Sequence, residues 1–261
     1  HVRYEDLLRD EDLGDAAERA FGREGLGIAV VTGVPDISDR RRDLFHLGRR
    51  FATLPDETRA QYEHPASTFS FGWSHGKEML EAGRPDLAKG SFYANPCFDA
   101  PFADDAAAVA THPQLAHPNV WPDAEVAGFS SAFKTLGQAV VRVGVLVARQ
   151  CDRYAEKVHG GGYERGKLER IASSSRCCKG RLLHYFPRGA AAVGSSDNNG
   201  AAEDGPRVDG DGIVGGGGEG GGGGGGGVVS AASDDDDGRS FSDWCGWHHD
   251  HGSLTGGLRT A

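Results

Sequence analysis

Apolar residues return along the first part of the chain with a helical period. Leu7, Leu8, Leu13, Ala16, Ala17, Ala20 and Phe21 recur near every 3.6 positions, which predicts a helix within residues 5–24, stopped at Gly25-Leu26-Gly27. Ile28-Ala29-Val30-Val31 then reads as a short strand closed by Gly33-Val34-Pro35. Ser38 stands where an N-cap belongs, ahead of a helix carrying Leu44, Phe45, Leu47, Gly48 and Phe51. Leu54-Pro55-Asp56-Glu57 opens another helix, with proline near its first position, where no N–H is needed. Residues 64–121 show no sustained period and read as loops, anchored by Phe69, Phe71, Trp73, Phe92 and Tyr93.

The strongest pattern lies at 123–158. Phe129, Phe133, Leu136, Val140, Val143 and Val147 step by four, three, four, three and four, a continuous stripe along one helix face. Gly137 and Gly144 interrupt it, each costing up to ~1 kcal/mol relative to alanine. Glycines on the flank of such a stripe let another element come close. Gly160-Gly161-Gly162 ends the helix, and Arg181-Leu182-Leu183-His184-Tyr185-Phe186-Pro187 reads as a strand closed by proline. Residues 188–240 are of low complexity: 12 of the 13 positions from Gly215 to Gly227 are glycine, and four aspartates follow at 234–237. Such a stretch buries too little apolar surface to offset its ordering entropy, so disorder is expected. No Lys-Ser/Thr or helix start follows the glycines, which removes a phosphate loop.

The 261 residues allow one large domain or two small ones. The net charge of −10 is uneven, because 188–241 carries ten acids against three bases. A nucleic-acid partner is not expected, since no basic surplus appears; Arg40-Arg41-Arg42 with Arg49-Arg50 fall at helical spacing and read as a solvated face. No apolar run approaches the ~20 residues of a membrane span, Ala139–Ala148 being broken by Arg142, so no membrane partner is expected. Five scattered cysteines (97, 151, 177, 178 and 245) and no secretory pattern point to free thiols and a cytoplasmic setting. The chain opens His1-Val2-Arg3 without an initiator methionine, so a preceding segment is expected.

The densest chemistry is His248-His249-Asp250-His251. On a strand, alternate side chains share a face, so His248 and Asp250 go to one side and His249 and His251 to the other. One imidazole and one carboxylate on a face supply two of the three ligands of a 2-His-1-carboxylate site, which holds Fe(II) and leaves positions open for cosubstrate and O2. Three letters alone fit a polar strand edge equally well. Cys177-Cys178 with His184 and Cys245 lack the spacing of a zinc chelate, and Asp234–Asp237 lack that of a calcium loop. Trp244 and Trp247 flank the His248 strand as core or pocket lining.

The surroundings add weight. Trp247-His248-His249-Asp250-His251-Gly252-Ser253-Leu254-Thr255 resembles the H-x-D-x-G-x-L-T segment of the isopenicillin N synthase-like and plant-type Fe(II)/2-oxoglutarate oxygenases. Phe21–Pro35 is similar to that family's N-terminal opening, and Leu54–Tyr62 to its L-P-x-E-x-K-x-x-Y helix. Phe71-Gly72-Trp73 through Lys77-Glu78 and Pro85–Phe92 resemble its G-Y…E…P-D-x-K-E-x-F stretch, and Pro118-Asn119-Val120-Trp121-Pro122 its P-N-x-W-P. These segments keep the family's order over most of the chain.

The resemblance implies an α+β fold, with a helical N-terminal region followed by an incomplete double-stranded β-helix, or jelly-roll, core. Its divisions would be 1–122 as the N-terminal region, 123–187 as core helix and first barrel strand, 188–240 as the insert, and 241–261 as the start of the catalytic barrel. It implies Fe(II) as cofactor and 2-oxoglutarate as cosubstrate, decarboxylated to succinate as O2 oxidises a small organic molecule by hydroxylation, desaturation or ring closure. His248 and Asp250 are the implied metal ligands and catalytic residues. The family's second histidine, some fifty residues beyond, and its Arg-x-Ser grip on 2-oxoglutarate are not in the chain, so incomplete and inactive chemistry is the expectation. His46, His64, His75, His112, His117 and His159 are weak substitutes. Phe186 stands where the family has a 2-oxoglutarate-binding tyrosine, and Tyr185 could serve only with a one-residue slip of register. The alternative is a non-catalytic remnant of the fold that acts through binding or not at all. Oligomeric state is open.

Overall fold

The computed structural model describes residues 1–79, 85–186 and 254–258, all within one structural unit. The N-terminal periodicity forms two helices instead of one: α1 (Tyr4–Leu8) and α2 (Gly14–Phe21). The break falls in Arg9-Asp10-Glu11-Asp12, where Asp10 takes a left-handed φ of 58°. The Asp12 carboxylate accepts the Gly14 N–H at 3.0 Å, and Gln150 accepts the Leu13 N–H at 3.1 Å. Local side-chain acceptors thus replace helical ones at a polar stretch. The strand expected at 28–31 survives only at its end, as β2 (Val31–Thr32), paired in parallel with β1 (Val2–Arg3).

Helix α3 (Ile37–Ala52) starts one residue before Ser38, and its N-cap is Asp36 at φ 56°. Its buried face is Leu44, Gly48, Phe51 and Ala52. Pro55 precedes α4 (Asp56–Ala60) as the sequence predicts. The stretch expected to be loops contains β3 (Gly72–His75) and β4 (Lys89–Ala94), then the short helices α5 (Ala106–Thr111) and α6 (Pro113–Ala116). The aromatics do anchor it, with Phe71, Trp73 and Phe92 all buried.

Helix α7 (Phe129–His159) begins at a left-handed Gly128 and buries Phe129, Phe133 and Leu136 of the predicted stripe. A 3-10 turn at Gly160–Gly162 ends it. By length and composition alone α7 is apolar enough to cross a membrane; in this fold it packs against α1, α2, α3 and α8 (Lys167–Ser174). Helix α8 has no counterpart among the sequence expectations. Its first amides, Leu168 and Glu169 N–H, are received by the buried Asp152 carboxylate at 2.8 Å each, with Tyr163 Oη donating at 2.5 Å.

The predicted strand at 181–187 is β5 (Gly180–Tyr185). Strands β3, β4 and β5 form an antiparallel sheet in that order, registered Trp73↔Phe92↔Leu182. Those three side chains share one face, and the core is built on it. The Phe51 ring meets Trp73 and Phe92 edge-on at 5.4 Å each, and Phe129 at 5.8 Å. Two glycines permit close approach, Gly137 as the sequence suggests and Gly48 beyond it, while Gly144 makes an ordinary contact. A Cβ at Gly48 would lie 2.7 Å from Leu182 Cδ2, and one at Gly137 2.4 Å from Pro96 Cβ. At Gly144 it would meet Leu254 at 3.6 Å, so the 254–258 segment lies along α7. Among the described residues the strands form this three-stranded sheet and the β1–β2 pair; a jelly-roll core is not among them. The insert at 188–240, and all of 241–261 except 254–258, lie outside the described residues.

Candidate functional site

His248 and Asp250, the implied iron ligands, lie outside the described residues, as do Cys245, Trp244, Trp247 and the aspartates at 234–237. Among the described residues, no three histidine, cysteine or acidic side chains are grouped to hold a metal. His64 and His117 stack with ring centroids 3.6 Å apart, yet His64 Nδ1 accepts the Ser67 N–H and His117 Nδ1 bonds the Pro118 carbonyl. The four described cysteines are free. Burial, with Cys178 alongside, pushes the Cys97 thiol up to about 11, and burial with Asp152 does the same for Cys151. Neither is a ready thiolate ligand.

The register of β5 settles which way its last residues point. Tyr185 pairs with Lys89, Leu183 with Ser91 and Arg181 with Tyr93, so these side chains share the sheet face turned away from the core. That face is polar. Arg181 donates to Ser91 Oγ at 3.0 Å and to Glu78 at 2.7 Å, while Lys89 Nζ lies 3.1 Å from Glu78 and 3.2 Å from Asp86. Burial pulls the Lys89 ammonium down, but those two carboxylates outweigh it and hold it above its ordinary value. Phe186 points the other way, toward the core, and its N–H continues the ladder to the Ala88 carbonyl at 2.9 Å. Tyr185 and Phe186 therefore cannot stand in for one another without a register slip.

Around Phe186 the structure gathers arginine and histidine side chains that no sequence window brings together. His75 of β3 and His184 of β5 lie against its ring at 4.7 and 4.8 Å between centroids. The Arg59 guanidinium of α4 lies 5.6 Å from the Phe186 ring and 5.6 Å from that of Trp73. Arg59 is buried; it donates to the Ala52 carbonyl at 2.7 Å and pairs with Asp56, while its Nε finds no acceptor. At Gly48, α3 comes close to Leu182 of β5. Burial lowers the His184 imidazole below its ordinary value, and the charges of Arg49, Arg59 and His75 lower it further. The sequence signal for this cluster is faint, since Arg49 reads as part of a solvated face and Arg59 as an ordinary helix position.

No protein-family model matches the chain, and no curated protein matches it. Solved structures do. A Caulobacter crescentus protein described as of the 2OG-Fe(II) oxygenase family superposes with a TM-score of 0.51 at 22% identity, over 71% of this chain and 55% of that one. A full-length Neurospora crassa protein in complex with alpha-KG and thymine gives 0.49 at 18% identity, over 70% and 54%. The complex of that protein with alpha-KG and 5-formyluracil gives 0.48 at 19%, over 70% and 51%. The chain thus spans about half the length of the structures it matches. Over about seven-tenths of its own length the chain shares the fold of that Caulobacter structure.

Proposed function

We propose that the chain is part of a non-haem Fe(II)/2-oxoglutarate-dependent oxygenase that hydroxylates, desaturates or cyclises a small organic substrate. The observation that carries this reading is the shared fold, joined to a His248-x-Asp250-x-Gly252-x-Leu254-Thr255 segment in the family's order. Fold alone does not fix chemistry, so the donor set must. His248 supplies a neutral imidazole and Asp250 one negative charge, a combination that suits Fe(II) and leaves coordination positions open. The iron would bind 2-oxoglutarate and activate O2. Before either arrives, the chain's own task is to hold two ligands on one face of a strand. Segment 254–258, laid along α7 at Val140 and Gly144, anchors the polypeptide immediately after them.

A second reading keeps iron and O2 but dispenses with 2-oxoglutarate. It is favoured by Phe186, which offers no hydroxyl where the family places a tyrosine, and by Tyr185 standing on the opposite face. Anaerobic titration of the protein with Fe(II), then 2-oxoglutarate, separates the two. The first reading expects a weak visible metal-to-ligand charge-transfer band that His248→Ala removes. Fe(II) binding without a band supports the second, and no Fe(II) binding contradicts both.

A further inference from the structure

We infer that the groove between β1, α1, α2 and α7 is a binding site for a small uncharged carbonyl compound, such as a short aliphatic ketone, whose oxygen accepts from the Gln150 side chain. Leu7, Ala17, Phe21 and Val147 form its walls, and Gln150 and Cys151 are its polar positions. The space inside is about 20 Å³, where a single water needs ~10–15 Å³, so a molecule of a few heavy atoms fits. The groove opens to solvent beside Ala29, whose neighbours Ile28 and Val30 are exposed apolar side chains. An apolar concavity with one or two placed polar groups is the usual make-up of a small-molecule site.

Gln150 decides what the ligand must bring. The residue is 3% exposed, and its Oε1 accepts the Leu13 N–H at 3.1 Å. That bond fixes the amide, because the flipped side chain would set donor against donor. Its Nε2 is thereby left buried with no acceptor. A buried donor without a partner calls for an explanation, and an oxygen held in the groove supplies one. The lining decides the charge. Among the described residues around the groove none is acidic or basic, and the Cys151 thiol, pushed up to about 11 by burial and by Asp152, stays neutral at pH 7. A carboxylate or an ammonium group would leave water there with nothing to compensate its charge. An alcohol would bury a hydroxyl proton beside an amide oxygen already engaged by Leu13, whereas a carbonyl only accepts. The site needs no metal, and it stands or falls apart from the iron chemistry.

The test is a titration of the full chain, labelled with ¹⁵N, with 2-butanone, 2-butanol and butyrate in separate arms. The Gln150 side-chain amide and the Leu13 backbone amide are followed by NMR. 2-Butanone is expected to shift both signals saturably, with 2-butanol at least threefold weaker and butyrate without saturation. Ala16→Leu, at a half-buried lining position of α2, should weaken 2-butanone binding at least tenfold by filling the groove. Gln150→Met is a further arm, but it also takes the acceptor from Leu13 and can displace α2, so Ala16→Leu and the three ligands decide. Shifts that rise linearly with 2-butanone, 2-butanol or butyrate binding as tightly as the ketone, saturation that leaves the Gln150 side-chain amide unmoved, or binding unchanged in Ala16→Leu would each overturn the site.

Discussion

Two alanine substitutions on one helix should move stability in opposite directions. Gly137 and Gly144 both lie inside α7, seven residues apart. Replacing either with alanine removes an intrinsic helix cost of about 0.8–1 kcal/mol. At Gly144 the new methyl would lie 3.6 Å from Leu254 Cδ2, an ordinary contact, so Gly144→Ala should stabilise the fold by about 0.5–1 kcal/mol. At Gly137 the methyl would lie 2.4 Å from Pro96 Cβ and 3.1 Å from Pro96 Cγ. A proline ring cannot rotate aside, and the Pro96 carbonyl is also held by Gln138 Nε2 at 3.0 Å. Overpacking of that kind costs about 1–3 kcal/mol, which outweighs the helix gain and leaves Gly137→Ala net destabilising, by up to about 2 kcal/mol. Urea unfolding followed by far-UV circular dichroism measures both variants against wild type, with equal slopes required for the comparison. A stabilised Gly137→Ala would mean that the Pro96 loop does not seat on α7. A Gly144→Ala that loses 1 kcal/mol or more would mean that 254–258 sits closer to the helix than the structure places it.

Other consequences are equally open to measurement. Asp152→Ala removes one buried carboxylate from three donors, Tyr163 Oη and the Leu168 and Glu169 amides; we expect a loss of roughly 2–4 kcal/mol and frayed α8 amides in hydrogen exchange, and a loss under 1 kcal/mol would contradict the capping role. The Cys97 and Cys151 thiols, pushed up to about 11, should be alkylated by iodoacetamide at pH 8 at least tenfold more slowly than in urea-unfolded chain; equal rates would sink the buried placement. His184 and His64 are both held below the ordinary histidine value by burial, with Arg49, Arg59 and His75 adding to the first and His117 to the second. The unfolded chain therefore takes up protons first, so stability should fall as pH drops below about 6.5 until the folded-state values are reached, and His184→Gln should flatten that slope. A profile that is flat, or rises toward acid, refutes the sign.

Different parts of this fold were legible to different degrees. The stripe from Phe129 to Val147 is long enough for its period to be unmistakable, and β5 carries a run of apolar residues ended by proline. Strands β3 and β4 were hidden because Gly72-Trp73-Ser74-His75 is too short for an alternation to register and glycine and serine dilute both. The break between α1 and α2 depends on a left-handed Asp10 and on Gln150, 137 residues beyond Leu13, which no local pattern reports. The site divides the same way. His248 and Asp250 stand two positions apart and could be read as a motif, whereas the cluster around Phe186 draws on residues 59, 75 and 184, which only the folded sheet and helices bring together. That Tyr185 and Phe186 lie on opposite faces follows from strand parity, which the sequence pattern carries, and the β4–β5 register and the packing of Phe186 on the core agree with it.

The central claim is that His248 and Asp250 hold one divalent metal ion. Leu254 follows Asp250 by four residues, at most about 14 Å of extended chain, and the structure lays Leu254 and Gly256 against Gly144 and Val140 of α7. Substoichiometric Mn(II), a paramagnetic stand-in for Fe(II), should therefore broaden the amide signals of Leu254–Gly257 first, then those of Val140 and Gly144, and lose this pattern in His248→Ala and Asp250→Ala. Broadening that centres elsewhere in the chain, or that survives both substitutions, would contradict the account.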